Sequence, residues 1–412
     1  MKPFYKILEN ELTRIDAIGT TKRHERIIEK FTKDEPPRAY IDGKPRSIFN
    51  SNDYLGLRFH PSLHKGEEVA SKKFGTGPGA VRFISGTLAV HRELERALAT
   101  FHSRDDAMVF SSAFASNVGV LPSLLRGQSK DSLVSGDSMV ISDELNHRSI
   151  IEGIRSASID SEHKAIFKHM DSEVLRRVLN EQKNKFKRVI VVTDGVFSML
   201  GEYQDLSALR AVINECESWF EEGIFLLVDD AHGVGCFGET GRGVEEVCKT
   251  KSDILVGTLG KAFGADGGYI VGDQIMIDYL RESAATYIYS NSISPGTAGA
   301  ALAAVELMNK ATGKKLLKKL RENIDLFKKL MKDAGFIFAV DSIHPIQPLL
   351  IGDTAKTKYL VNTLFDAGYL VTNINYPVVP KGRDEIRIQI SASHTKEDLK
   401  DFVKTLEKIE KK

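Results

Sequence analysis

The sequence predicts an α/β protein whose larger part is wound around a mainly parallel sheet, with a smaller α+β unit at its C-terminal end. Three observations predict it. Four short apolar runs recur, at Met139–Ile141, Val189–Val192, Phe225–Val228 and Ile254–Val256, separated by segments long enough for helices. Each run is apolar at successive positions rather than alternate ones, as a strand covered on both faces requires. Beyond Thr297 the pattern changes: Ile386, Ile388 and Ile390 alternate with Arg387 and Gln389, as in a half-exposed strand. Repeated strand–helix units close most simply into a parallel sheet with helical crossovers. The expected division is an N-terminal helix and arm over 1–60, a large unit over 61–296 and a C-terminal α+β unit over 297–412.

The elements follow in order. Phe4, Ile7, Leu8, Leu12 and Ile15 have helical spacing among Lys2, Lys6, Glu9, Glu11, Arg14 and Asp16, so residues 1–19 read as an amphipathic helix. After a polar connector with Pro36 and Pro37, Ile48 to Gly56 reads as a short strand running into a turn. Gly75, Gly77 and Gly79 follow no long apolar strand and so make a poor dinucleotide fingerprint. Leu94, Leu98 and Phe101 share one face of a helix from about Val90 to Phe101. Each central run then ends in polar residues. Asp143 precedes His147, Asp194 precedes Ser198, Asp229 precedes His232, and Thr258 precedes Lys261. From Thr297 one long helical stretch is expected through Leu302, Val305, Leu307 and Met308 and past Leu317. Phe336 to Val340, Ile346 to Ile351 and Glu385 to Ile390 belong to the smaller unit. Thr395 with Asp398 makes a capping-box pattern ahead of a helix burying Leu399, Phe402, Val403 and Leu406.

Composition limits the functions available. At 412 residues the chain exceeds one small core, and 42% hydrophobic with 27% charged residues is globular composition. A net charge of +1 gives no pull toward nucleic acid or an anionic membrane. The Lys-rich end, Lys404 to Lys412, reads as a solvated helix face. No apolar run approaches the roughly 20 residues that span a bilayer, and the charged N-terminal stretch is unlike a signal peptide. Cys216, Cys236 and Cys248 are odd in number and lack CxxC spacing. Neither a disulfide framework nor a zinc module is expected, and a reducing, cytoplasmic compartment fits.

The chemistry concentrates in Asp229-Asp230-Ala231-His232 and Thr258-Leu259-Gly260-Lys261-Ala262-Phe263-Gly264. Both follow buried runs, so an acid, an imidazole and an amine arrive at one sheet edge, where open α/β sheets bind ligands. A lysine among Gly260, Gly264, Gly267 and Gly268 can be approached closely by a flat ligand, and desolvated lysines are the ones that form Schiff bases. An aspartate nearby keeps a heterocyclic nitrogen protonated. Together they are the equipment for pyridoxal phosphate. A phosphate-binding P-loop is excluded, because GxxxxGK[ST] is absent and Ala262 follows Lys261. No set of ligands has zinc spacing, so no metal is expected. Arg387 reads equally as a solvated strand residue and as a bidentate carboxylate clamp.

Four blocks carry a resemblance: Asp143-Glu144-Leu145-Asn146-His147, Asp194-Gly195-Val196-Phe197-Ser198-Met199, Val228-Asp229-Asp230-Ala231-His232 and Thr258-Leu259-Gly260-Lys261. In this order, between Asn52-Asp53-Tyr54-Leu55-Gly56-Leu57 and Ser391-Ala392-Ser393-His394, the sequence resembles the α-oxoamine synthases. These are fold-type-I pyridoxal-phosphate transferases, similar in fold to aspartate aminotransferase. Phe4-Tyr5-Lys6-Ile7-Leu8, Glu25-Arg26-Ile27-Ile28 and Tyr376-Pro377-Val378-Val379-Pro380-Lys381-Gly382 are most similar to the branch of 2-amino-3-ketobutyrate CoA ligases, or glycine C-acetyltransferases. The 8-amino-7-oxononanoate synthases are the close rival. The resemblance implies condensation of glycine with acetyl-CoA to 2-amino-3-ketobutyrate and CoA, or the reverse cleavage; the rival branch implies a longer acyl chain. A non-catalytic subunit of such a family would lack the lysine, which is present here as Lys261.

The resemblance also implies roles. Lys261 would carry the cofactor covalently and later move the α-proton. Asp229 would pair with the pyridine nitrogen, and His147 would stack over the ring and border the substrate. His232 and Ser198 would hold the phenolic oxygen. Thr258 and the backbone of Ala113 and Phe114 would hold the phosphate. Ser290 and Asn291 would reach that phosphate from the other subunit of a homodimer. Asn52 and Arg387 would hold the amino-acid carboxylate. Three departures from the family pattern bear on the substrate pair. Ser283-Ala284-Ala285-Thr286-Tyr287 replaces a basic, proline-containing stretch, Glu385 stands where an arginine is common, and Leu200 stands where an acid is usual.

Overall fold

The four apolar runs become four neighbouring parallel strands, Ser138–Asp143, Arg188–Asp194, Gly223–Asp229 and Ile254–Thr258. The computed structural model describes residues 2–18, 21–23, 25–376 and 379–411; Pro377 and Val378, part of the Tyr376 to Gly382 resemblance, lie outside them, as do Met1 and Gly19 of the expected first helix. Side chains along each run go alternately to the two faces of the sheet. Val189 and Val191 join the core containing Leu94, Leu98, Leu209 and Val212. Ile190 and Val192 join the core containing Val120, Leu124, Ile150 and Leu280. Helices cover both faces, so every position must be apolar and no alternation survives.

Three more strands complete a seven-stranded sheet. Lys164–Phe167 extends it beyond Ser138–Asp143, and Gly268–Gly272 and Asp106–Phe110 extend it beyond Ile254–Thr258. Gly268–Gly272 runs antiparallel to both neighbours. Its apolar run is only Tyr269, Ile270 and Val271 between glycines, too short to register as a periodic pattern. Glycine at 268 is required: a Cβ there would lie 2.1 Å from the backbone nitrogen of Ala113.

The expected single long helix after Thr297 is two, Pro295–Met308 and Ala311–Asp333, parted at Asn309 and Lys310. The two pieces have different surroundings. The first is apolar around its circumference and lies tightly on Pro61–Phe74, where a Cβ on Gly299 would sit 2.3 Å from the Gly66 carbonyl oxygen. The second is amphipathic and buries Leu317, Leu320, Ile324, Phe327 and Met331 along one stripe.

Strand Glu385–Gln389 is the centre of a three-stranded antiparallel sheet, flanked by Ile346–Leu350 and Thr372–Ile374. Phe336 to Val340 contributes a single bridge, Phe338 to Leu349, rather than a strand. Helix Lys396–Glu410 begins with the reciprocal capping box of Thr395 and Asp398 and buries Leu399, Phe402, Val403 and Leu406. The arm strands Ala39–Ile41 and Lys44–Ile48 join Tyr369–Leu370 in a second small sheet, which carries the following turn, with Asn52 and Tyr54, to the edge of the large sheet. Helix Pro3–Ala17 forms, yet buries none of its residues; Phe4 and Ile7 are each 61% exposed. Among the described residues no helix is long and apolar enough to cross a membrane.

Candidate active site

The C-terminal ends of the parallel strands deliver Asp194, Asp229 and Thr258 side by side, because the register pairs Asp194 with Asp229 and Asp229 with Val256. They open on a cavity of about 250 Å³. Eight residues expected from the sequence line it: Ala113, Phe114, His147, Ser198, Asp229, His232, Thr258 and Lys261. Five others join them, Ser112, Ser149, Asp194, Val196 and Ala231.

One wall is the start of helix Ala113–Arg126. Ser112 caps it by accepting the Ala115 N–H at 3.0 Å. The N–H groups of Ala113 and Phe114 have no helical acceptor, which makes this end a site for an anion. Thr258 stands beside it, its hydroxyl donating to the Gly267 carbonyl and accepting the Gly260 N–H.

A chain of hydrogen bonds runs on from the next turn of the same helix. Asn117 Nδ2 donates to Asp229 Oδ2 at 2.6 Å and to Ser149 Oγ at 2.9 Å. Ser149 Oγ lies 2.7 Å from His147 Nδ1. The Ala231 N–H donates to the other Asp229 oxygen, and the His147 N–H donates to Asp194 Oδ2 at 3.1 Å. Each partner is fixed by a different element, so the His147 ring and the Asp229 carboxylate are held in one arrangement.

Burial shapes the electrostatics. It pushes the Lys261 ammonium below its ordinary value, against the nearby Asp229 and Asp194 carboxylates. It pushes the His147 imidazole down, with Asp229 opposing and Lys261 assisting. The His232 imidazole falls well below its usual value, through burial and then the charges of Lys261 and Arg387. The Asp194 carboxyl rises well above the carboxylate range, through burial and then the charge of Asp229.

Asn52 and Arg387 do not line this cavity but border it. Arg387 Nε donates to the Ser198 carbonyl at 2.7 Å. Gln389 donates to Asn52 Oδ1 at 2.6 Å, and the Tyr54 hydroxyl lies 3.3 Å from the same oxygen and 2.8 Å from His232 Nδ1. Ser290 and Asn291 are exposed and stand outside the cavity. The residue set fits pyridoxal phosphate: a helix N-terminus and a hydroxyl for its phosphate, a carboxylate for its ring nitrogen, an imidazole for its ring and an amine for its aldehyde.

Known proteins agree. Residues 47–406 match the profile of the class I and II aminotransferases. The 8-amino-7-oxononanoate synthase of Thermoanaerobacter pseudethanolicus is 38% identical over 91% of this chain and 90% of its own. The bovine mitochondrial 2-amino-3-ketobutyrate coenzyme A ligase is 37% identical over 95% and 89%. The serine palmitoyltransferase of S. paucimobilis, solved with PLP–myriocin bound, superposes with a TM-score of 0.86 at 26% identity over 100% and 99%. The chain belongs to the α-oxoamine synthases.

This synthase therefore has the fold-type-I architecture and depends on pyridoxal phosphate. Sequence reasoning assigned no role to Asp194, Asn117, Ser149 or Tyr54. Asp194 did carry a signal, since it ends a buried apolar run as Asp229 does. Asn117 carried none: it sits inside a helix, 112 positions from the aspartate it holds.

Proposed function

We propose that this synthase joins the α-carbon of glycine to the acetyl group of acetyl-CoA and releases CoA, or runs the reverse cleavage. The observation that carries the chemistry is the Asp229–Asn117–Ser149–His147 chain facing Lys261 across one cavity. When bound, pyridoxal phosphate supplies an electron sink that lets an α-C–H bond lose its proton. Asp229 holds the ring nitrogen protonated, and Asn117 and the Ala231 N–H aim its carboxylate. His147 covers the ring, with Ser149 and Asn117 fixing its plane. Lys261 Nζ anchors the cofactor covalently and then moves the α-proton, a task suited to an amine whose basicity burial has lowered. Ala113, Phe114 and Thr258 take the phosphate, and Ser198 and His232 the phenolic oxygen. Arg387 and Asn52 take the amino-acid carboxylate.

The choice of glycine and acetyl-CoA rests on the ligase-like segments at 4–8, 25–28 and 376–382 and on 37% identity to the bovine ligase. A longer acyl donor with L-alanine is the rival reading, favoured by 38% identity to the Thermoanaerobacter oxononanoate synthase. CoA release measured across amino acids and acyl-CoA lengths separates them. Faster turnover with L-alanine and pimeloyl thioester than with glycine and acetyl-CoA moves the protein to the rival branch. We assign the working unit as a cytoplasmic homodimer in which Ser290 and Asn291 complete the phosphate site of the partner; both are exposed polar residues in the loop before Pro295.

A further inference from the structure

Strand Glu385–Gln389 presents two faces. Ile386 and Ile388 enter the core, while Glu385, Arg387 and Gln389 share the other face, two residues apart and so roughly 7 Å from one to the next. Arg387 and Gln389 reach the active-site edge through Ser198 and Asn52. Glu385 completes the row. It is 1% exposed, and its Oε1 has no hydrogen-bond partner among the described residues. A carboxyl so deeply buried and so poorly satisfied is costly in a purely structural position.

We propose that Glu385 is a positioning residue that sets how strongly Arg387 holds the carboxylate of the amino-acid substrate. The proposal rests on the assignment of Arg387 as the carboxylate clamp. A negative charge beside the guanidinium offsets part of its attraction for an incoming carboxylate; a neutral Glu385 leaves the attraction whole. Burial pushes the Glu385 carboxyl up to about 7, against Arg383 and Arg387 and with the help of Glu202. The remaining charges around it are accounted for. Arg383 Nη2 donates to the Ala339 carbonyl, Glu202 lies 3.4 Å from His169 Nε2, and Asp384 accepts the Thr354 hydroxyl. The flanking strands Ile346–Leu350 and Thr372–Ile374 contribute no ionisable side chain, and Tyr376 and Lys381 lie in the segment leading to the strand. As pH rises through 7, Glu385 gains its charge and amino-acid affinity falls.

The test uses the loaded enzyme and reads the dissociation constant of glycine, or of L-alanine if that is the amino acid turned over. The visible-absorbance change on titration reports it between pH 6 and 8.5. Ionisation of the amino acid itself is common to all variants and cancels in their ratios. Wild type and Glu385→Gln should bind equally at pH 6, and wild type should bind roughly tenfold more weakly than the variant at pH 8.5. The effect should fall mainly on KM rather than kcat. Glu385→Leu, which removes the charge and supplies no polar group in its place, should follow Glu385→Gln. Parallel pH curves for wild type and either folded variant overturn the proposal. Arg387→Gln separates the two readings: unchanged affinity at pH 6 overturns the clamp, and the proposal with it. Weakened affinity together with parallel Glu385 curves overturns the proposal alone.

Discussion

Asp194 and Asp229 are cross-strand neighbours, the last register pair joining Arg188–Asp194 to Gly223–Asp229 at the floor of the cavity. Their surroundings differ. The Asp194 carboxyl is pushed well up by burial and by the charge of Asp229, whereas Asp229 receives a hydrogen bond on each oxygen, from Asn117 and from Ala231.

The amide of asparagine imitates a protonated acid, so the two Asp→Asn substitutions should differ. Asp194→Asn is expected to keep turnover within about tenfold of wild type. Asp229→Asn removes the charge opposite the ring nitrogen and should cost roughly 100-fold or more in kcat, with cofactor binding less affected. Steady-state kinetics with a cofactor titration decide it; equal losses in the two variants contradict the division of roles.

Lys261 is the one lysine lining the cavity among the described residues. Borohydride reduction of the wild-type holoenzyme should fix the cofactor on the peptide containing Lys261, and Lys261→Ala should trap none. Recovery of label on another lysine of the variant would disprove the assignment.

His169 bridges two acids outside the cavity. Its Nδ1 lies 3.1 Å from Asp143 and its Nε2 3.4 Å from Glu202. Burial pulls the imidazole down, but the hydrogen bonds and charges of Asp143 and Glu202 outweigh it and raise it to about 9. A raised folded value means stability that is fully present below the unfolded value of about 6.5 and lost as pH climbs through 9. Thermal unfolding should therefore show a Tm decline between pH 7 and 9.5 that His169→Gln lacks. Identical pH slopes in the two proteins rule out this contribution.

The shared site is testable by complementation. Lys261→Ala is mixed with a chain inactivated by bulky residues at 290 and 291. In a heterodimer one site carries both lesions and the other none, so part of the activity should return. No recovery after demonstrated subunit exchange refutes the shared phosphate site.

Much of the fold was legible because burial on both faces leaves a mark in composition. Val189 to Val192 must be apolar throughout, since alternate side chains enter two different cores, and a polar residue ending such a run falls at the sheet edge. That local rule located Asp229, His232, Thr258 and Lys261 and picked out His147 and Ser198 after their runs, and the family resemblance supplied the individual roles. It failed for Gly268–Gly272, whose few side chains between glycines make no pattern, and for the break at Asn309, which comes from two helices having different neighbours.

The sequence by itself determined the strand chemistry, the acid–amine pair and hence the cofactor. Each rests on a buried apolar run and the polar residues directly after it, a local pattern in which periodicity and spacing speak directly. Only the tertiary structure decided the strand order, the adjacency of Asp194 and Asp229, the hold of Asn117 on Asp229, and the row of Glu385, Arg387 and Gln389 at the site's edge. The strand pairings, the hold of Asn117 and the docking of Arg387 on Ser198 and of Gln389 on Asn52 join residues tens to hundreds of positions apart. They arise from which strands pair and which helices cover them, a global packing choice that no local window of the chain encodes.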